Sequence, residues 1–172
     1  MPDDDLAHSS SCAPKAPGML IRELDLRDAT VASTVHAVGL CAYAVEAERI
    51  GFDGIPALSE SLQDMTARPL RWLGAVTTEG TVAAFVAWRT DTGQHVTHID
   101  RVCVDPAWFR RGLASCLLDH LLAKVTDRGE VRVSTGADNQ PAVKLYERLG
   151  FSRTVDFEPV PGLRMAQFAL HR

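Results

Sequence analysis

Apolar positions along this chain recur in two rhythms, a period of two and a spacing of three and four, and each change of rhythm marks a new element. Met19 to Leu26 reads as a first strand, with Leu24 and Leu26 on one face. Val31, Val35, Val38, Ala42 and Val45 then recur at helical spacing and mark one buried helix face. Asp28 is the expected N-cap of that helix, and Gly51 lies at its end. Phe52-Asp53-Gly54-Ile55-Pro56 reads as a loop by its Gly and Pro content. A short helix over Glu60 to Ala67 is predicted next, capped by Ser59 and stopped by Pro69.

Leu70 to Thr78 and Val82 to Arg89 read as two strands joined tightly by Glu79-Gly80-Thr81, a hairpin. The second is apolar on both faces, so it belongs at the centre of a sheet, and Trp72 and Trp88 are expected in the core. His95 to Val104 is a fourth strand, in which period-two alternation puts His98, Asp100, Val102 and Val104 on one face. Leu113, Leu117, Leu118, Leu121, Leu122 and Val125 form the stripe of a helix ending near Arg128-Gly129. Val131, Val133 and Thr135 mark a fifth strand, expected parallel to the fourth across that helix. Asn139-Gln140-Pro141 opens a helix whose inner face is Ala142, Leu145, Tyr146 and Leu149, stopped by Gly150. Phe151 to Phe157 and Leu163 to Leu170 are the last strands, the second returning antiparallel after Pro159-Val160-Pro161-Gly162. The sum is a three-layer α+β fold: a mixed, mostly antiparallel sheet of six to seven strands, with helices on both faces and strands four and five parallel.

Composition narrows the function classes. At 172 residues the chain suits one domain, expected over residues 19–172, behind a disordered N-terminal tail of residues 1–18 rich in Asp, Ser, Pro and Ala. A net charge of -4 gives no footprint for nucleic acid. No apolar run approaches the roughly 20 residues that span a bilayer, and the acidic start Met1-Pro2-Asp3-Asp4-Asp5 lacks a signal-peptide core. The cysteines Cys12, Cys41, Cys103 and Cys116 are scattered without metal-type spacing; they read as reduced thiols of a cytoplasmic protein that needs no metal.

The chemistry sits in two blocks. Val104 to Ser115 (VDPAWFRRGLAS) leads from a strand through a Pro-containing turn into a helix. Such a turn gathers free N–H groups and the positive end of a helix dipole, which suits an anion and most often phosphate. Asn139 to Phe151 (NQPAVKLYERLGF) follows the fifth strand. Together the blocks resemble the GNAT superfamily of acetyl-CoA-dependent N-acetyltransferases. That family carries Arg/Gln-x-x-Gly-x-Gly/Ala after its fourth strand and Asn-x-x-Ala-x-x-x-Tyr-x-x-x-Gly-Phe after its fifth. Here the first pattern runs from Phe109 to Ala114, and Phe109 departs from the usual Arg or Gln.

The resemblance implies acetyl-CoA as co-substrate. The backbone N–H groups of Arg110, Arg111, Gly112, Leu113, Ala114 and Ser115 would cradle its pyrophosphate, with Gly112 leaving room for close approach. Val102, Cys103 and Val104 would pair their backbones with the pantetheine arm. Asn139 would orient the cofactor or a water, and a fourth-strand N–H near Cys103 or Val104 would stabilise the oxyanion. Tyr146 would protonate the leaving thiolate. For the base, a glutamate stands in several relatives at the position of His98, and a carboxylate in others at that of Asp100; a water chain is the alternative. The acceptor cleft is expected around Tyr43, Glu46 and Asp53, with Glu48, Phe52 and Ile55 beside them and Glu158 to Arg164 opposite. A carboxylate beside an aromatic ring suits a cationic amine.

The reading that results is direct acetyl transfer to a primary amine of a small molecule, with no nucleic-acid or membrane partner. The alternatives are a protein lysine or N-terminal acetyltransferase and a non-catalytic acyl-CoA-binding module. The resemblance also carries the expectation of a homodimer. A ping-pong acetyl-cysteine at Cys103 is weighed against a small buried strand residue, which is the simpler role.

Overall fold

The computed structural model describes residues 18–124 and 128–172. The tail up to residue 17, Cys12 and Val125 lie outside them. Among these residues, seven strands form one sheet: β1 (Met19–Glu23), β2 (Arg71–Thr77), β3 (Val82–Asp91), β4 (Val96–Val104), β5 (Glu130–Gly136), β6 (Ser152–Phe157) and β7 (Met165–His171). Their spatial order is β1-β2-β3-β4-β5-β7-β6. All neighbours run antiparallel except β4 and β5, which are parallel.

Among the described residues, four α-helices cover the two faces: α1 (Ala29–Ile50), α2 (Leu62–Ala67), α3 (Leu113–Lys124) and α4 (Gln140–Arg148). On one face Val35 and Val38 of α1 and Met65 of α2 pack on Trp72, Phe85 and Cys103. On the other, Leu117, Leu118 and Leu121 of α3 and Val143 and Tyr146 of α4 pack on Trp88, Ile99, Val133 and Phe168. The mixed sheet, the parallel pair and the two helical layers match the expectation. β3 has β2 and β4 on its flanks, and its residues from Val82 to Trp88 are all buried.

Local chemistry sets the helix ends. The Asp28 carboxylate accepts the N–H groups of Thr30 and Val31, and Gly51 closes α1 in the left-handed region at φ 65°. The short helix starts later than the spacing suggests. Ser61, not Ser59, is its cap: the Ser61 hydroxyl accepts the Asp64 N–H and donates to the Asp64 carboxylate, a reciprocal pair that Ser59 lacks. Glu60 is thereby left outside the helix, free to turn inward. β1 also ends early, although Leu24 stays buried and its N–H still bonds to Trp72.

The largest departure is in β4. Ala87 of β3 pairs with Arg101 while Trp88 pairs with Ile99, so Asp100 is an extra residue, a β-bulge. A bulge resets the period-two alternation. Val102 and Val104 therefore lie opposite Val86 and Ala84 on the α3 face, whereas His98 lies opposite Arg89 on the other face. The expected single face of His98, Asp100, Val102 and Val104 does not form.

Candidate active site

The site begins where the two parallel strands part. β4 and β5 pair only through Val96–Ile99 and Glu130–Val133. Beyond the bulge, β4 continues to Val104 with β3 alone, and β5 continues to Gly136 with β7 alone. The strands diverge into a cleft of about 510 Å³ whose walls include Tyr43, Glu46, Val102, Thr135, Asn139 and Tyr146.

At the far end of β4 the chain makes a single 3-10 turn over Pro106–Trp108, fastened by the Asp105 carboxylate on the Ala107 N–H. Arg110 and Gly112 then both adopt left-handed φ, 63° and 72°. The first ladder bond of α3 is Cys116 N–H to Gly112 C=O, so the N–H groups of Leu113, Ala114 and Ser115 precede the ladder and point out of the helix start. A Cβ at Gly112 would meet no protein atom within 4 Å, so what demands glycine in this fold is its φ, and the space above it is open. Trp108 lies under Arg111, 4.6 Å from guanidinium carbon to ring centroid.

Tyr146 is 4% exposed, its ring held by Phe151 and Phe168 at 5.9 and 5.6 Å. Burial, and then the charges of Glu46 and Cys103, push its phenol above the ordinary value of 10. Asn139 precedes α4 but its side chain makes no cap bond. Its amide donates instead to the Thr135 hydroxyl at 3.3 Å, and its buried carbonyl oxygen has no protein partner. An orphaned acceptor on a cleft wall is a docking point for a donor on a ligand. Glu46, on the cleft side of α1, accepts the Gly136 N–H at 3.2 Å and the Thr135 hydroxyl at 3.3 Å. Tyr43 lies one turn before it, and burial raises its phenol well above the usual range.

The two candidate bases separate. Asp100 reaches the cleft but is already paired, with Arg68 at 2.9 Å and Arg101 at 3.1 Å. His98 is not on the cleft wall. The bulge turns it toward Arg89 and Arg132, and burial first, then those cations, lower its pKa from 6.5. Asp53 is exposed in the loop after α1 and does not line the cleft; Ile55, Pro56 and Ala57 do. Opposite them stand Pro159 and Leu163 of the β6–β7 loop, with the Glu158 carboxylate accepting the Gly162 N–H. Val102 reaches the cleft, Val104 packs toward α3, and Cys103 is 1% exposed with its thiol pushed up to about 12 by burial. A thiol so protonated is a poor nucleophile.

Arg101, Glu60 and Arg68 are charged wall residues that periodicity missed. Arg101 is 6% exposed and donates to Glu60 at 2.8 Å and to Asp100 at 3.1 Å. Burial works against its charge, but the bonds to Glu60 and Asp100 outweigh it and hold the guanidinium above its ordinary value. An arginine directly after Asp100, within a strand, was the available signal, because a buried guanidinium requires a carboxylate.

The fold and the cleft are those of the GNAT class: the Acetyltransferase (GNAT) family model matches residues 40–151, and the chain belongs to that family. The UPF0157 protein YqkA of Bacillus subtilis (strain 168) is 34% identical over 152 residues, 88% of this chain and 43% of that protein. The [Ribosomal protein bS18]-alanine N-acetyltransferase of Escherichia coli (strain K12) is 34% identical over 79 residues, 45% of this chain and 52% of that enzyme. The chain thus spans about half the length of the curated relatives it matches. The E. coli ribosomal-protein-S18-alanine N-acetyltransferase structure superposes with a TM-score of 0.68 at 22% identity, over 89% of this chain and 93% of that one. Salmonella typhimurium yncA, solved with its cofactor acetyl-CoA, superposes with a TM-score of 0.64 at 18% identity, over 90% and 94%. These two likenesses establish the fold. No described helix is long and apolar enough to cross a membrane.

Proposed function

We propose that residues 19–172 transfer an acetyl group from acetyl-CoA directly to a primary amine, in a ternary complex. The observation that carries this is the parting of β4 and β5, which opens a cleft walled by the buried Tyr146, while the far end of β4 leads through a turn into the free N–H groups at the start of α3. When bound, acetyl-CoA supplies an activated thioester. The N–H groups of Arg110 to Ser115 would receive its pyrophosphate, and the β5-facing edge of Val102 to Val104, which β5 leaves open, would receive the pantetheine arm. The orphaned Asn139 oxygen accepts an N–H of the arm or a water.

Glu46 pairs with the incoming ammonium and takes its proton. Of the three cleft carboxylates, Glu60 and Asp100 are held by arginines, whereas Glu46 has no cationic partner among the described residues. A backbone N–H of β4 after the bulge stabilises the developing oxyanion. Tyr146 gives its proton to the departing thiolate, and burial keeps that proton in place until then. The buried Cys103 takes no part as a nucleophile. The exposed thiol of Cys41 and the free thiol of Cys103 suit a reducing compartment such as the cytoplasm.

For the acceptor, an uncompensated carboxylate in a cleft of this size favours a small cationic amine. A protein N-terminus is the second reading, favoured by the relatives named for the alanine of ribosomal protein bS18. A CoA-release screen over polyamines, amino sugars, amino acids, lysine peptides and alanine-started peptides tests both. Turnover confined to peptides moves the acceptor to protein, and no release with any amine removes the catalytic reading.

A further inference from the structure

Phe109 occupies the motif position where an Arg or Gln side chain would otherwise face the pyrophosphate. The structure brings a cation to that place from another element. Arg49, in the last turn of α1, holds its guanidinium carbon 5.5 Å from the centroid of the Phe109 ring. That lies within the reach of a cation–π contact, about 6 Å. No carboxylate pairs with Arg49 among the described residues, and its side chain is exposed.

The position is set by the fold. The last two turns of α1 bridge the ends of the two parted strands. On the β5 side, Glu46 accepts the Gly136 N–H, and a Cβ added at Gly136 would stand 2.8 Å from Ile50. On the β4 side, Arg49 covers Phe109, immediately before the left-handed Arg110 and the open space over Gly112. Arg49 thus stands over Phe109, which comes shortly before the free N–H groups of Leu113, Ala114 and Ser115 in the chain.

We propose that Arg49 supplies the side-chain contact to the CoA pyrophosphate that Phe109 cannot, with the Phe109 ring holding the guanidinium in place. This rests on the acetyl-CoA reading above. A guanidinium fork matches phosphate oxygens, and a ring that fixes it beforehand lowers the ordering cost of binding. Arg49 also lies where a cation favours the C-terminal end of α1, so a purely structural role must be separable by experiment.

Two thioesters separate them: acetyl-CoA, and S-acetylpantetheine, which has the thioester arm but no pyrophosphate. Titration calorimetry of Arg49→Ala is expected to show acetyl-CoA binding weakened about tenfold, the scale of one hydrogen bond to a charged group, with S-acetylpantetheine binding unchanged. Phe109→Ala should shift the same ratio in the same direction, and Phe109→Arg placed in the Arg49→Ala background should restore it. Equal weakening of both thioesters, or no change in either while the wild type binds acetyl-CoA, overturns the assignment of Arg49. A wild type that binds no acetyl-CoA overturns the cofactor reading itself, and this inference with it.

Discussion

Tyr146 and His98 show how environment decides what a titratable side chain can do. Tyr146 is enclosed by Phe151, Phe168 and the α4 turn, and its phenol stays protonated at any working pH. If it is the acid of the transfer, Tyr146→Phe should lower kcat by about a hundredfold, the lower end of general acid catalysis, and leave acetyl-CoA affinity within about twofold. Unchanged turnover would remove the assignment. His98 behaves in the opposite sense. Its folded pKa lies below 6.5, so the unfolded chain binds the proton more readily. Its contribution is intact above the ordinary histidine value and is lost as pH falls through the lowered one. His98→Gln should therefore lose less Tm than the wild type between about pH 7 and pH 5 in paired thermal melts. Equal losses would mean that His98 titrates alike in both states.

At the scale of elements, the bulge in β4 and the ion network beside it act as one device. The bulge places Asp100 and Arg101 side by side, opposite the single residue Ala87. Arg101 then ties β4 to Glu60 ahead of α2, and Arg68 at the C-cap of α2 returns to Asp100. His36 of α1 contacts the Glu60 carbonyl as well, so three elements meet there. Glu60→Ala leaves the Arg101 guanidinium buried with one carboxylate fewer. The expected cost is about 3 kcal/mol in urea unfolding, the lower range for removing one partner of a buried pair. A loss within about 0.5 kcal/mol would show that water reaches Arg101 as readily as it reaches a surface arginine.

Across the whole molecule, the legible parts of the sequence were those with a local cause. Helix stripes, the Asp28 and Gly51 caps and the tight hairpin each follow from neighbouring residues, and they are present in the described residues, Val125 of the α3 stripe lying outside them. The parallel pairing of β4 and β5 followed from the helix between them. What could not be read was set by tertiary partners. One extra residue in β4 reverses the face of every residue on one side of it, and alternation alone carries no sign of the insertion. The Ser61 cap wins over Ser59 because Asp64 stands three residues on, a local signal that was available. Glu60, Arg68 and Arg101 come from three separate segments, so their meeting depends on the fold. Tyr43 and Glu46 do reach the cleft because they lie one turn apart on the same side of α1, whereas Asp53 falls beyond its end.

The proposed activity requires that the parted strands and the start of α3 hold acetyl-CoA. Titration calorimetry of the full chain with acetyl-CoA reads this without any assumption about the acceptor. Saturable binding at one site per chain, weakened when S-acetylpantetheine replaces acetyl-CoA, is the predicted result, because the pyrophosphate then leaves its N–H cradle empty. No saturable heat with acetyl-CoA, or equal affinity for the two thioesters, would contradict it.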